Sequence, residues 1–156
     1  MIAAAYLALT LFGSGQTSTI HRHVGGWIVE ATSDRFTKAV TCSVTKGHVE
    51  FRKDVLIFHL SRLDDTTNAF FRVDDGPARS VREATYDDQR RGYYRTGGPL
   101  ENPSAGLVAL PSFYVTGARW VYIRATPRND LSWFNVSGFA NALALARTMN
   151  CPDIGP

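Results

Sequence analysis

Short apolar runs separated by turn residues fill the first half of the chain, a pattern typical of β-strands. Four runs are strand candidates: residues 27–31, 39–44, 55–60 and 70–73. The run 55–60 is continuously apolar, as expected for a strand buried on both faces. Asp and Asn residues at 64–68 are turn formers, so we predict a hairpin over 55–73.

Strand patterns resume after residue 106. The candidates are residues 107–110, 113–115, 119–124 and 131–136. Residues 119–124 alternate with a period of two, which places Trp120, Tyr122 and Arg124 on one face and Val121 and Ile123 on the other.

The last segment predicts an α-helix. Ser137 is a candidate N-cap, because its side chain can accept a backbone N–H bond. Apolar residues then follow the 3.6-residue period down one face: Phe139, Ala142, Leu143 and Ala146. Cys151 and Pro152 end the helix. The predicted fold is mainly β, an antiparallel β-sandwich or barrel-like sheet closed by one C-terminal α-helix.

The first sixteen residues carry no charge, and residues 2–12 form a largely apolar run followed by small residues. This length is typical of a signal peptide and is too short to span a bilayer. We therefore expect residues 1–15 to be a signal peptide and residues 16–156 one β-rich domain. The run lacks the usual preceding Lys or Arg, and the alternative is a first strand or helix packed into the core.

Cys42 and Cys151 are the only cysteines, and neither has the spacing of a redox or zinc motif. In an oxidising compartment such a pair forms one disulfide, which here would close most of the mature chain. The alternative is two free thiols. With a leader and a disulfide, we expect a periplasmic or secreted protein without a transmembrane span.

Candidate catalytic and metal-binding residues are few. His21 and His23 would share one face of a strand, but no third metal ligand is visible. His59 lies in an apolar run and fits a hydrogen-bonded core or edge histidine better than a base. Paired Asp residues at 64–65, 74–75 and 87–88 fit turns. We therefore expect no enzyme activity, no cofactor and no metal.

One stretch is a candidate partner-binding surface because Tyr and Arg are enriched at interface hot spots. Its residues are Tyr86, Arg90, Arg91, Tyr93, Tyr94 and Arg95. The net charge of +3 is small and acids lie nearby, which disfavours nucleic acid. A partner protein, glycan or lipid headgroup of acidic character fits better. The alternative is a solvated loop.

Residues 131–143 contain a strand that runs into Gly138-Phe139 and a helix with an Ala-Leu step, and an early Trp-Ile-Val strand at residues 27–29 precedes a cysteine-bearing strand. These features resemble the invasion-associated locus B family, at both ends of the mature domain. The resemblance implies a small, exported, sandwich-like alphaproteobacterial protein linked to host-cell invasion or envelope stress. The expected function is binding of a partner in the envelope or on a host cell. The alternatives are a structural or stress-protective envelope component and an enzyme with a dispersed site.

Overall fold

The computed structural model describes residues 17–52, 54–60, 66, 68–84, 106–125, 131–152 and 154. The strands are β1 Thr17–Val24, β2 Trp27–Asp34, β3 Val40–Lys46, β4 Val49–Arg52, β5 Val55–His59, β6 Phe70–Val73, β7 Arg79–Ser80, β8 Leu107–Pro111, β9 Trp120–Arg124 and β10 Ser132–Asn135. The helices are α1 at residues 81–84, α2 Ser112–Val115 and α3 Phe139–Thr148.

The strands form two antiparallel sheets. One has six strands in the order β1-β2-β3-β4-β5-β8, and the other has four in the order β10-β9-β6-β7. The six-stranded sheet is a meander through β5, because each strand pairs with the next along the chain. The mainly β fold with a C-terminal helix is confirmed, and the described strands form open sheets with free edges instead of a closed barrel.

A single core joins both sheets and α3. Alternate residues of the strands point inward, as a two-residue period requires. The largest of these buried side chains are Trp27, Leu56, Phe58, Phe71 and Ile123. From α3, Phe139, Ala142 and Ala146 complete the core, as their helical spacing predicts. The helix lies against β2, with further contacts to β1 and β3.

The structure corrects two predictions about the strands. Residues 55–73 do not form a hairpin, because β5 pairs with β4 and β8 while β6 belongs to the other sheet. Residues 113–115 are helical, because the chain turns after Pro111 and Thr116 donates its N–H to the carbonyl of Ser112. The apolar residues at 113–115 suit a strand and a buried helical turn equally well, whereas 55–59 and 70–73 are strands and only their pairing was wrong.

Ser137 does not cap α3. The residue at the N-cap position is Gly138, in a left-handed conformation (φ +82°), and no side chain caps the helix there. Ser137 instead donates its hydroxyl to Oδ1 of Asn135 at 2.6 Å, and its carbonyl accepts the hydrogen bonds described below. Strand β1 was also not predicted from the sequence, because its alternating polar residues are exposed on both faces.

The predicted disulfide is present. Cys42 in β3 is bonded to Cys151 just after α3, with 5.6 Å between their Cα atoms. The bridge fastens the C-terminal end of the helix to the six-stranded sheet, over a sequence separation of 109 residues. No helix in the described part of the chain is long and apolar enough to cross a membrane.

Candidate functional site

The outer face of the four-stranded sheet carries aromatic and basic side chains. In β9, Val121 and Ile123 point into the core and are fully buried, so Tyr122 and Arg124 point outward. The alternation that the sequence predicted for this strand is confirmed. It places a phenol and a guanidinium on the same surface, two residues apart.

Strands β6 and β10 add to this surface on either side of β9. Arg72 and Trp133 lie opposite Tyr122, one on each neighbouring strand. Phe70 lies opposite Arg124 in the next row. We call the surface formed by Phe70, Arg72, Tyr122, Arg124, Leu131 and Trp133 the aromatic–arginine face.

The apolar members of this face are unusually exposed. Trp133 is 66% exposed and Phe70 is 46% exposed. Leu131, which precedes β10, is also exposed. Single exposed apolar residues are common, but a cluster that includes Trp and Arg has the composition of interaction surfaces.

A groove of about 350 Å³ lies within the face. Its floor and sides are apolar apart from two guanidinium groups, and Phe71 forms part of its base. The Arg72 guanidinium carbon lies 4.6 Å from the centre of the Tyr122 ring. Stacking of this kind holds a guanidinium in place while leaving its N–H donors available.

Among the described residues, no carboxylate neutralises either arginine of the groove. In the described part of the chain, Arg72 and Arg124 form no ion pair, and no carboxylate lines the groove. The nearby carboxylate of Asp74 accepts the N–H groups of Arg119 and Trp120, at 3.0 and 2.8 Å, and so fixes the turn before β9. The face therefore combines two unpaired cations with apolar area, which suits an anion that also has an apolar part.

The outer face of the six-stranded sheet is different. His21 lies 3.2 Å from Glu30, and Arg52 is paired with Glu50. His59 is also near Glu50, at 3.8 Å. These three basic groups have carboxylates of the same chain beside them, so they offer less to an external anion.

A second cluster of special residues, which we call the closing junction, joins the β1–β2 turn to the start of α3. The ring centres of Trp27 and Phe139 lie 5.2 Å apart, and both side chains are buried. Trp27 donates its indole N–H to the carbonyl of Ser137 at 2.9 Å. Gly138 follows with its positive φ, a conformation that other residues adopt at a cost.

Lys46 occupies the middle of the closing junction. Its ammonium donates to the carbonyls of Gly25 and Ser137 and to Oδ1 of Asn135, at 3.0, 2.9 and 3.0 Å. It also lies 5.7 Å from the centre of the Trp27 ring. Burial lowers the pKa of Lys46 below its usual 10.5. The junction thus uses these polar groups internally.

The residues predicted for partner binding lie outside the described part of the chain. They are Tyr86, Arg90, Arg91, Tyr93, Tyr94 and Arg95. Their role stays a prediction. Cys42 and Cys151 are placed as predicted.

The histidines lie at the surface. His21 and His23 share one face of β1, as expected from their spacing. No group of three potential ligands that would hold a metal ion is found among the described residues. His59 is exposed at the end of β5, not buried, and its main-chain N–H donates to the carbonyl of His48. Asp74, one of the paired acids, lies in the turn directly after β6, as predicted for a turn former.

Phe70, Arg72, Leu131 and Trp133 were not recognised from the sequence. Their alternation with buried Phe71 and partly buried Phe134 predicts that they point outward, but it does not say which strands are neighbours. Only the pairing of β6 with β9, across 47 or more intervening residues, brings Arg72 beside Tyr122. A period-two pattern in several strands, each with an outward aromatic or Arg, was the available signal.

Comparison of this chain with protein-family models, curated proteins and solved structures gives no match.

Proposed function

We propose that this chain is an exported, non-enzymatic binding protein whose aromatic–arginine face holds an acidic partner in the envelope or on a host cell. One observation carries the proposal. Arg72 and Arg124 flank an apolar groove, lie beside exposed aromatic rings, and have no carboxylate partner in the described part of the chain.

The physical chemistry of such a surface favours binding. Exposed Trp, Tyr and Arg combine apolar area with directed hydrogen-bond donors, and such residues contribute most of the energy at many interfaces. Unpaired cations around an apolar centre attract an anionic partner and orient it. The groove volume lies at the lower end of the usual range for ligand pockets, roughly 300–1,000 Å³, so it suits one or two side chains of a partner.

Export is supported by the disulfide and by the sequence of the first residues. Structural disulfides persist in oxidising compartments. The charge-free apolar segment at residues 2–12 has the length of a leader. In the native host, we expect the mature protein outside the cytoplasm and roughly 1.5 kDa lighter than the full chain. A full-length cytoplasmic product would contradict export.

Binding is tested by cross-linked capture from an envelope extract with three forms of the protein. The first is the wild type, the second carries Arg72→Gln and Arg124→Gln, and the third carries Arg22→Gln and Arg35→Gln. The control pair removes the same charge from the six-stranded sheet and its β2–β3 turn. We expect a component that the wild type and the control retain and the Arg72/Arg124 variant loses.

Equal capture by all three forms would contradict binding at the aromatic–arginine face. Absence of any specific component would favour a structural or stress-protective role instead. A fourth form, with Arg90, Arg91 and Arg95 replaced by Ala, tests the predicted contribution of residues 86–95. Loss of capture by that form would add the segment to the binding surface.

A further inference from the structure

Strand β10 forms one edge of the four-stranded sheet and borders the aromatic–arginine face. Among the described strands, it pairs only with β9. An edge strand presents a row of main-chain donors and acceptors that can pair with another chain. Which of these groups are free depends on which residues of β10 are hydrogen-bonded to β9.

One hydrogen bond just after the end of β10 shows which of its residues bond to β9. Val136 donates its N–H to the carbonyl of Arg119 at 2.9 Å, one step beyond the pair formed by Asn135 and Trp120. In an antiparallel pair, residues that exchange hydrogen bonds alternate with residues that do not. Phe134 and Ser132 therefore bond to β9, whereas the main-chain groups of Trp133 and Asn135 point away from it.

Trp133, at the centre of this edge, is the most exposed apolar member of the aromatic–arginine face. The Trp133 side chain lies on the outer surface next to Tyr122, and its main-chain N–H and carbonyl point sideways. An approaching strand would therefore meet unpaired backbone groups and an exposed indole at the same position. Only a polypeptide supplies alternating donors and acceptors at this spacing, which a lipid surface or a glycan does not.

We propose that an extended acidic segment of a partner protein adds to β10 as a fifth strand of this sheet, which deepens the proposed function and rests on it. The added strand would lie about 4.8 Å from β10 and place alternate side chains on the outer surface. The side chain opposite Trp133 would be apolar or aromatic and pack on the indole.

Charge complementarity specifies the neighbouring side chains. Phe70 lies opposite Arg124 on one side, and the register of β10 places Leu131 opposite Arg124 on the other side. A side chain opposite Leu131 would start about 10 Å from the Arg124 backbone, two strand spacings away. A Glu side chain and the long Arg124 side chain together cover that distance. The Arg124 guanidinium has no carboxylate partner in the described structure, so an external carboxylate there would be its first.

The edge of the six-stranded sheet at β1 differs. All of β1 except Val24 is exposed, but its outward histidine His21 already faces Glu30. The edge at β10 instead places an exposed indole near two arginines that have no carboxylate partner in the described part of the chain.

The test uses a seven-residue peptide with the sequence Thr-Glu-Thr-Phe-Thr-Glu-Thr, acetylated at its N-terminus and amidated at its C-terminus. Two versions carry one main-chain N-methyl group, either on the phenylalanine or on an adjacent threonine. The phenylalanine N–H would face β10, so its methylation should weaken binding by about tenfold or more, a loss equal to about one hydrogen bond. Methylation of the threonine, whose N–H points away, should change the affinity by less than about twofold.

Affinity is followed by the fluorescence of the protein and by the NMR shifts of the Trp133 and Asn135 amides. Arg124→Gln should weaken binding of the peptide, and Arg22→Gln should not. Replacing both glutamates of the peptide by lysine should abolish binding. Vesicles of anionic phospholipid form a separate arm and should not compete.

Each other outcome overturns the inference. Equal effects of the two N-methyl groups, with Arg124 still required, would reject strand addition and leave the proposed binding face standing. Absence of peptide binding, or vesicles that shift the Trp133 amide in place of the peptide, would reject a peptide occupant. The capture experiment with the Arg72/Arg124 variant decides the proposed function independently.

Discussion

A tryptophan and a basic side chain meet in two regions of this protein, and their surroundings differ. In the closing junction, Trp27 is fully buried, and Lys46 beside it donates to carbonyl and amide oxygens of two segments, the β1–β2 turn and the stretch from the end of β10 to α3. On the aromatic–arginine face, Trp133 is largely exposed, and the arginines near it bind no carboxylate in the described part of the chain.

The difference separates residues that hold the fold from residues available to a partner. In the closing junction, the hydrogen bonds and ring contacts are made within the chain, so removing a group leaves a cavity or an unsatisfied donor. On the aromatic–arginine face, the same kinds of groups are solvated, so their removal costs the fold little. Stability measurements on matched substitutions therefore test the distinction directly.

The largest effect is expected for tryptophan. Trp27→Ala should lower the free energy of unfolding by about 3–5 kcal/mol, because it empties a buried site and removes the ring contact with Phe139. Trp133→Ala should change it by less than about 0.5 kcal/mol. Urea unfolding followed by circular dichroism measures both. Similar losses for the two variants would show that the two regions do not differ in the way described.

The disulfide supports the junction from the other end of α3. Cys42→Ser should lower the free energy of unfolding by about 2–5 kcal/mol, because the bridge closes a long loop and restricts the unfolded chain. Hydrogen exchange should also speed up at the end of α3 near Cys151. The wild type treated with a reductant is the control and should match the variant. No loss of stability would contradict the role assigned to the bridge.

The two basic residues allow a matched comparison of smaller size. Lys46→Met should lower the free energy of unfolding by about 1–3 kcal/mol, because three oxygen atoms at the junction each lose the hydrogen bond that the ammonium donates. Arg72→Met should leave it within about 0.5 kcal/mol, since Arg72 stacks on Tyr122 at the surface. Urea titrations at neutral pH compare the two. A larger loss for Arg72→Met than for Lys46→Met would reverse the assignment.

The smallest effect concerns pH. Burial lowers the pKa of Lys46, so between that lowered pKa and 10.5 the unfolded chain binds more protons than the folded chain. The free energy of unfolding of the wild type should rise with pH across this window, relative to Lys46→Met, and level off above 10.5. Paired urea titrations from pH 8 to 11 would detect the rise. A relative fall across the window would contradict a lowered pKa.

Local patterns predicted much of this protein. The alternation at residues 119–124, a strand at 55–59 with residues 56–58 buried, and the apolar stripe of the last helix each follow from the sequence pattern, and each is confirmed. The disulfide was predicted from the presence of only two cysteines. The hairpin over 55–73 was wrong, because a turn between two strands does not require that they pair with each other. The predicted partner-binding stretch lies outside the described residues, so it stays a prediction.

The sequence by itself determined which residues point inward, since side-chain direction follows from the local period of two or 3.6 residues. It also determined the pairing of Cys42 with Cys151, because no other cysteine competes. Only the tertiary structure decided that Arg72, Tyr122 and Trp133 form one row, and that Lys46 reaches the start of α3. Strand neighbours are set by burial and hydrogen bonding between distant segments, and no local pattern in a single strand carries that information.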